Sequence, residues 1–379
     1  MFLKHASKPR SLRLLFAAFL LVVQLFAGFG FSPAAASGSG VVYVMSNSAA
    51  GNSILVYDRA SDGTLAFAGE YATGGLGTGA GLGSQGALVL SANGRWLFAV
   101  NAGSNEISIL SVQGNQLQLR DVAPSGGELP ISLTNRDNLL FVLNGGGAGN
   151  LTGFAFDRTG NLIPLDGSTH PLSNGGSGDS VGPAQIEFTP DGKALVVTEK
   201  MTNLIDIYSV DAHGQISNFT ANPSAGETPF GFAFARGGQL VVSEAFGGAP
   251  DASALSSYQI DGSQLLAISP VVNTNQTAAC WVVVTDNGKY AYTTNTGSSS
   301  ISSYSIGRNG SLTLLDSRAG ETGDGSSPID MALSNNSTYL YALSGGTHTV
   351  VGFQVNADGS LTQVDSVDVP AGAVGIAAQ

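Results

Sequence analysis

The chain has one cysteine in 379 residues, Cys280, and only 11% charged residues, with Lys and Arg numbering 15. A single cysteine excludes an internal disulfide, so the core and the connectivity must hold the fold. The shortage of cations excludes the basic surface that a phosphate backbone needs, and nucleic acid with it. The cations are unevenly placed as well. Lys4, Lys8, Arg10 and Arg13 fall in residues 1–36, which contain no acid, so residues 37–379 carry 11 cations against 27 acids, a net −16. An anionic membrane surface is disfavoured by that charge. His5, His170, His213 and His348 are all remote from Cys280 in sequence. No base stands beside the thiol, which is therefore expected to be buried and structural. Helical periodicity is missing too.

What the chain has in quantity is glycine, 52 residues of it, with 43% hydrophobic residues. That combination describes short strands joined by tight turns, and so much apolar material excludes a disordered chain. Residues 1–36 read as a signal peptide. A cationic start leads into the apolar stretch Leu14 to Phe31, and Ala34-Ala35-Ala36 offers a small-residue cleavage site. The expected product, residues 37–379, is a single secreted or extracytoplasmic domain in the periplasm or at the cell surface. No cysteine lies near the cleavage site to carry a lipid.

Within that domain one unit recurs. VVYVMS, WLFAVN, LLFVLN, ALVVTE, QLVVSE, YAYTTN and YLYALS end at Ser46, Asn101, Asn144, Glu199, Glu244, Asn295 and Ser344, at intervals of 55, 43, 55, 45, 51 and 49 residues. A spacing near 50 fits a four-stranded propeller blade. Each run is followed by a hairpin whose turn carries a glycine: Gly63, Gly114, Gly160, Gly214, Gly262, Gly310 and Gly359. Such turns demand positive φ. A further strand precedes six of the seven units, among them PAQIEFTPDG, PFGFAFARGG and PIDMALSNN; the unit at Val41 lacks one, and AVGIAAQ at the C-terminus is spare. The expected fold is all-β, a seven-bladed propeller of four-stranded antiparallel blades, with the C-terminal strand completing the N-terminal blade. Ring closure removes exposed sheet edges.

The hairpin pattern and the segments PAQIEFTPDGKALVV and CWVVVTDNGKYAYTTN resemble the seven-bladed lactonase family, which includes propeller-type 6-phosphogluconolactonases and carboxymuconate cyclases. AYTTNTGSSSISSYSI and LFAVNAGSNEISIL are similar to YVTN-type surface-layer propellers. The lactonase resemblance implies a functional His opening one blade, an Arg opening the next, and a Glu ending that blade's second strand. Aligned on the turns TPDG and ARGG, those positions are Ala184, Phe230 and Glu244, so only the Glu is kept. Glu244 is the candidate base, and Glu199, one blade earlier, the candidate for raising its pKa by repulsion. Gln185, Phe230, Asn295 and Asp330 occupy strand positions expected to face a ligand at the channel mouth.

Glu128, Asp179, Glu227, Glu321 and Asp324 gather in the loops entering the blades, where oxygen ligands and flexible glycine backbone would suit Ca²⁺, although no EF-hand spacing is present. Their simpler role is solubility, and no other cofactor is expected. The Gly-rich stretch at 74–86 lacks the Lys and the helix of a phosphate loop, and reads as a mobile inter-blade loop. Two classes of function stay open: a lactonase-like hydrolase or cyclase acting on a small lactone, and a non-catalytic surface propeller holding a sugar, metal or protein. The expected partner is a small-molecule or carbohydrate ligand, and the expected state a monomer.

Overall fold

The computed structural model describes residues 1–2 and 39–379; the signal-peptide segment proposed above lies outside the described residues, save its first two. The rest forms seven antiparallel sheets; in six of them the strands are hydrogen-bonded in chain order, with one extra short pairing in the third, and in the N-terminal one the last strand of the chain comes first. First strands of successive sheets pack on one another to make the inner ring, so the architecture is a seven-bladed propeller. Blades are numbered from the N-terminus. Apart from one short 3-10 turn at Phe246–Gly248, the described elements are strands.

Second strands such as Leu139–Asn144 and Tyr339–Ser344 are buried along their whole length. Each is covered on both faces by neighbouring blades, which is why these segments read as unbroken apolar runs instead of alternating ones. Outer strands such as Leu361–Asp368 are exposed or half-buried at every position. In the third blade the outer strand stops at Pro164 and pairing resumes only at His170–Pro171. Proline lacks the N–H that a ladder needs, so pairing is interrupted after Pro164, while in the fifth blade the outer strand Gln264–Asn273 carries Pro270 with a shift of register.

All seven turn glycines have positive φ, between 62° and 91°. Some also leave room for the neighbouring blade. A Cβ on Gly63 would run into the ring of Tyr339 in the seventh blade.

The ring closes as the sequence indicates. Ile376–Ala378 pairs antiparallel with Gly40–Met45, in the register Val42 to Ala378, Tyr43 to Ala377 and Val44 to Ile376. Val41 and Gln379 exchange backbone bonds of 3.2 and 2.9 Å. The first blade thus takes its innermost strand from the other end of the chain.

Candidate active site in the central channel

The two acids that end second strands are fully buried, and each is tied to its own surroundings. Glu199 accepts bonds from the Ser173 N–H at 3.0 Å, the Ser173 hydroxyl at 2.5 Å and the Thr202 hydroxyl at 2.6 Å. Glu244 accepts from Gly226 N–H at 2.8 Å and from the hydroxyls of Ser224 at 3.0 Å, Ser256 at 2.8 Å and Tyr258 at 3.2 Å. Ser173, Ser224 and Gly226 sit on the loops entering the blades, Thr202 on the turn after the second strand, and Ser256 and Tyr258 on the third strand, so both carboxyls pin loops. Burial raises the pKa of Glu244, against the pull of its donors. Glu199 acts instead on Asp206, whose carboxyl is pushed up to about 9 by burial and then by Glu199. The structure does not pair Glu199 with Glu244.

The mouth itself is crossed by the end of the Gly-rich stretch. From the second blade, the Gln85 amide donates to Val282 O at 2.8 Å and accepts from Val282 N–H at 3.0 Å; Trp281 Nε1 donates to Ser84 O at 2.9 Å. Gln85 N–H also reaches Ala184 O at 3.1 Å, and Leu133 N–H reaches Gly86 O at 2.8 Å. Residues 83–86 therefore span from the third and fourth blades to the sixth, nearly opposite in the ring, as a strap rather than a free loop. Beside it, Lys200 donates to Gly83 O and lies 4.6 Å over the Phe230 ring, which packs 4.9 Å from Trp281. Burial lowers the Lys200 pKa to about 8. A cation does stand over Phe230, where the lactonase resemblance implies Arg, but it holds the strap. Cys280 is buried as expected, its thiol raised to about 11 by burial.

Beneath the strap the channel holds a cavity of about 360 Å³, lined by Gln85, Thr134, Asn135, Gln185, Glu187 and Asp330 among apolar first-strand residues. Glu187 lies mid-strand in Pro183–Phe188, half-buried, and burial pushes its carboxyl up to about 8. Gln185 Nε2 donates to Glu187 Oε2 at 3.1 Å and to Phe232 O at 3.0 Å, while Phe232 N–H donates to Gln185 Oε1 at 2.7 Å. The next blade's backbone thus locks the amide. Asp330 is also raised to about 8 by burial; it accepts from Met331 N–H at 2.8 Å and from Ile376 N–H of the closing strand at 3.3 Å. Thr134 Oγ1 accepts from Phe188 N–H at 3.1 Å, leaving its own proton to donate.

Of the four expected ligand contacts, Gln185 and Asp330 line this cavity. Phe230 packs under Lys200, and Asn295 is buried, donating to Ser300 at 3.1 Å and Ser302 at 2.9 Å. Sequence reasoning passed over Glu187 and Thr134. The available signal was an acid in the middle of a first strand, PAQIEF, where alternation turns it toward the channel. Among the described residues no group of three or more His, Cys, Asp or Glu is disposed to hold a metal. Of the loop acids, Glu321 pairs with Arg318 at 2.6 Å.

A ring-closed propeller whose inner strands enclose an acid-lined cavity belongs to the class that can hold a small molecule on its axis. The chain is a member of the seven-bladed β-propeller lactonase family, whose sequence profile matches residues 42–170, 148–264 and 259–375. No curated protein matches it in sequence. Among solved structures it is similar to a putative 6-phosphogluconolactonase from Bacteroides uniformis (17% identity, TM-score 0.72, 90% of this chain and 100% of that one). It is also similar to one from Bacteroides fragilis (19%, 0.67, 92% and 100%). A third is a periplasmic gluconolactonase from Pseudomonas aeruginosa (15%, 0.68, 90% and 99%). Likeness at these identities speaks for the fold alone.

Proposed function

We propose that this chain is an exported hydrolase of small lactones, with its chemistry in the cavity below the strap. The observation that carries this reading is Glu187, a carboxyl held near pKa 8 on a cavity of about 360 Å³, within the ~300–1,000 Å³ range of small-molecule sites. As a base, Glu187 takes a proton from water while the water oxygen attacks the lactone carbonyl carbon. Thr134 and Asn135 supply donors to the oxyanion. When it collapses the ring C–O bond breaks, and the departing alkoxide takes the proton back from Glu187. The product is a hydroxy acid whose carboxylate the acidic cavity repels. Family membership supports the reaction class, and the pattern of residues 1–36 supports export.

The test is hydrolysis of glucono-δ-lactone and a simple γ-lactone, followed by acid release, using protein recovered from the exported fraction with its N-terminus at or near Ser37. Turnover should rise with pH through about 8, and Glu187→Gln should lower it by about 10²- to 10⁴-fold. Turnover that survives Glu187→Gln places the base elsewhere. No turnover above the uncatalysed rate rejects the hydrolase and leaves a binding propeller. An intact Met1 in a membrane fraction argues against cleavage.

A further inference from the structure

Between the fourth and fifth blades, on the face away from the strap, the hairpin turns enclose a groove of about 950 Å³. Lactone hydrolysis leaves it unused. Lys193 and Arg236 stand on its walls with Asn218, Gln259, Ser209 and Ser263. Cations are scarce in this chain, since residues 37–379 hold only 11 against 27 acids, so two cations against the single acid Asp191 on one groove are a local reversal of charge. Arg236 is exposed and makes no ion pair among the described residues. Lys193 lies 3.6 Å from Asp191, both exposed; such a pair is worth little and yields readily to a ligand.

The groove is linked to the channel through shared lining residues. It shares Thr189 and Pro190 with a hollow of about 410 Å³, which in turn shares Asn135 and Glu187 with the channel cavity. Arg136 stands in that hollow, donating to Pro190 O at 2.7 Å.

We propose that this groove binds an acidic oligosaccharide, with uronate carboxylates on Arg236 and Lys193 and one chain end directed toward the channel. A guanidinium matches a carboxylate in a two-pronged fashion. The amides of Asn218 and Gln259 and the serine hydroxyls both donate and accept, as sugar hydroxyls do. No aromatic side chain lines the groove to anchor a peptide, and the net charge of the domain repels a polyanion as dense as nucleic acid. The site stands independently of the lactonase reading.

Calorimetric titration of the exported protein with trigalacturonate, with maltotriose as the uncharged control, tests it. Trigalacturonate should bind more tightly than maltotriose and weaken as NaCl is raised. Arg236→Ala should weaken it at least about tenfold, the loss of a charge-assisted pair, with Lys193→Ala weaker in effect; both are surface positions, and an unchanged melting temperature checks the fold. No binding of trigalacturonate at millimolar concentration, equal binding of maltotriose, or an Arg236→Ala variant with unaltered affinity overturns the proposal. Tri-glutamate binding as tightly as trigalacturonate overturns the carbohydrate assignment.

Discussion

Glu244 and Glu187 are the same kind of side chain with opposite surroundings. Glu244 has four donors converging on its two oxygens and no exposure, while Glu187 has one side-chain donor and borders a cavity. Replacing Glu244 by Gln turns one acceptor into a donor facing donors, and a buried unsatisfied group of that kind costs about 1–3 kcal/mol. Glu244→Gln should therefore lower the melting temperature by a few degrees in a thermal unfolding scan. A variant that melts with the wild type would show that the carboxyl does not pin its loop. The acids of the second strands were legible because they end a repeated run. Their partners were not, since Ser224 and Ser256 lie 20 and 12 residues away in chain order and only the folded blade brings them to one carboxyl.

At the scale of the element, inter-blade contact explains details that strand patterning leaves blank. Tyr292, Tyr341 and Tyr43, all in second strands, donate to the carbonyls of Gly359 at 3.0 Å, Gly63 at 2.8 Å and Gly114 at 3.3 Å, each in the hairpin turn of the next blade round the ring. Each turn glycine thus satisfies its own turn and lets a neighbour approach. The closing strand works similarly. Val374 and Ile376 are buried, and Asp330 caps the Ile376 N–H. Deleting residues 373–379 forfeits the burial of those two side chains, worth about 1.5–3 kcal/mol each, and opens an edge on the first blade. The truncated protein should unfold at a clearly lower temperature; identical melting would mean that the closing strand contributes nothing.

For the whole molecule the buried acids set the response to pH. Asp206 is pushed up to about 9 by burial and Glu199, and Glu187 and Asp330 to about 8 by burial, against about 4 in an unfolded chain. Native protein therefore holds protons that the unfolded chain has released, so this contribution is complete below pH ~4 and is lost as pH rises through 8 to 9. Turn aspartates oppose it at the acid end: Asp62 and Asp358 are held low by the hydroxyls of Thr64 and Ser360, and their contribution disappears as pH falls below ~4. The melting temperature should fall from pH 5 to pH 9, and Asp206→Asn, which keeps a donor for Glu199, should flatten the slope. A melting temperature that rises over that interval contradicts the burial of these acids.

The sequence by itself determined the blade count, the turn positions and the closing strand, because each is written as a local pattern repeated at a near-constant interval or, for AVGIAAQ, as its single exception. Tertiary structure alone decided what the channel became. Residues 83–86 carry no pattern that distinguishes a strap from a loop; their bonds run to Ala184, Trp281 and Val282, about a hundred and about two hundred residues on. Glu187 and Asp330 lie 143 positions apart, yet they border one cavity because first strands from different blades converge on the ring axis. Burial, and so the raised pKa of both acids, is a property of that convergence, which no stretch of the chain contains.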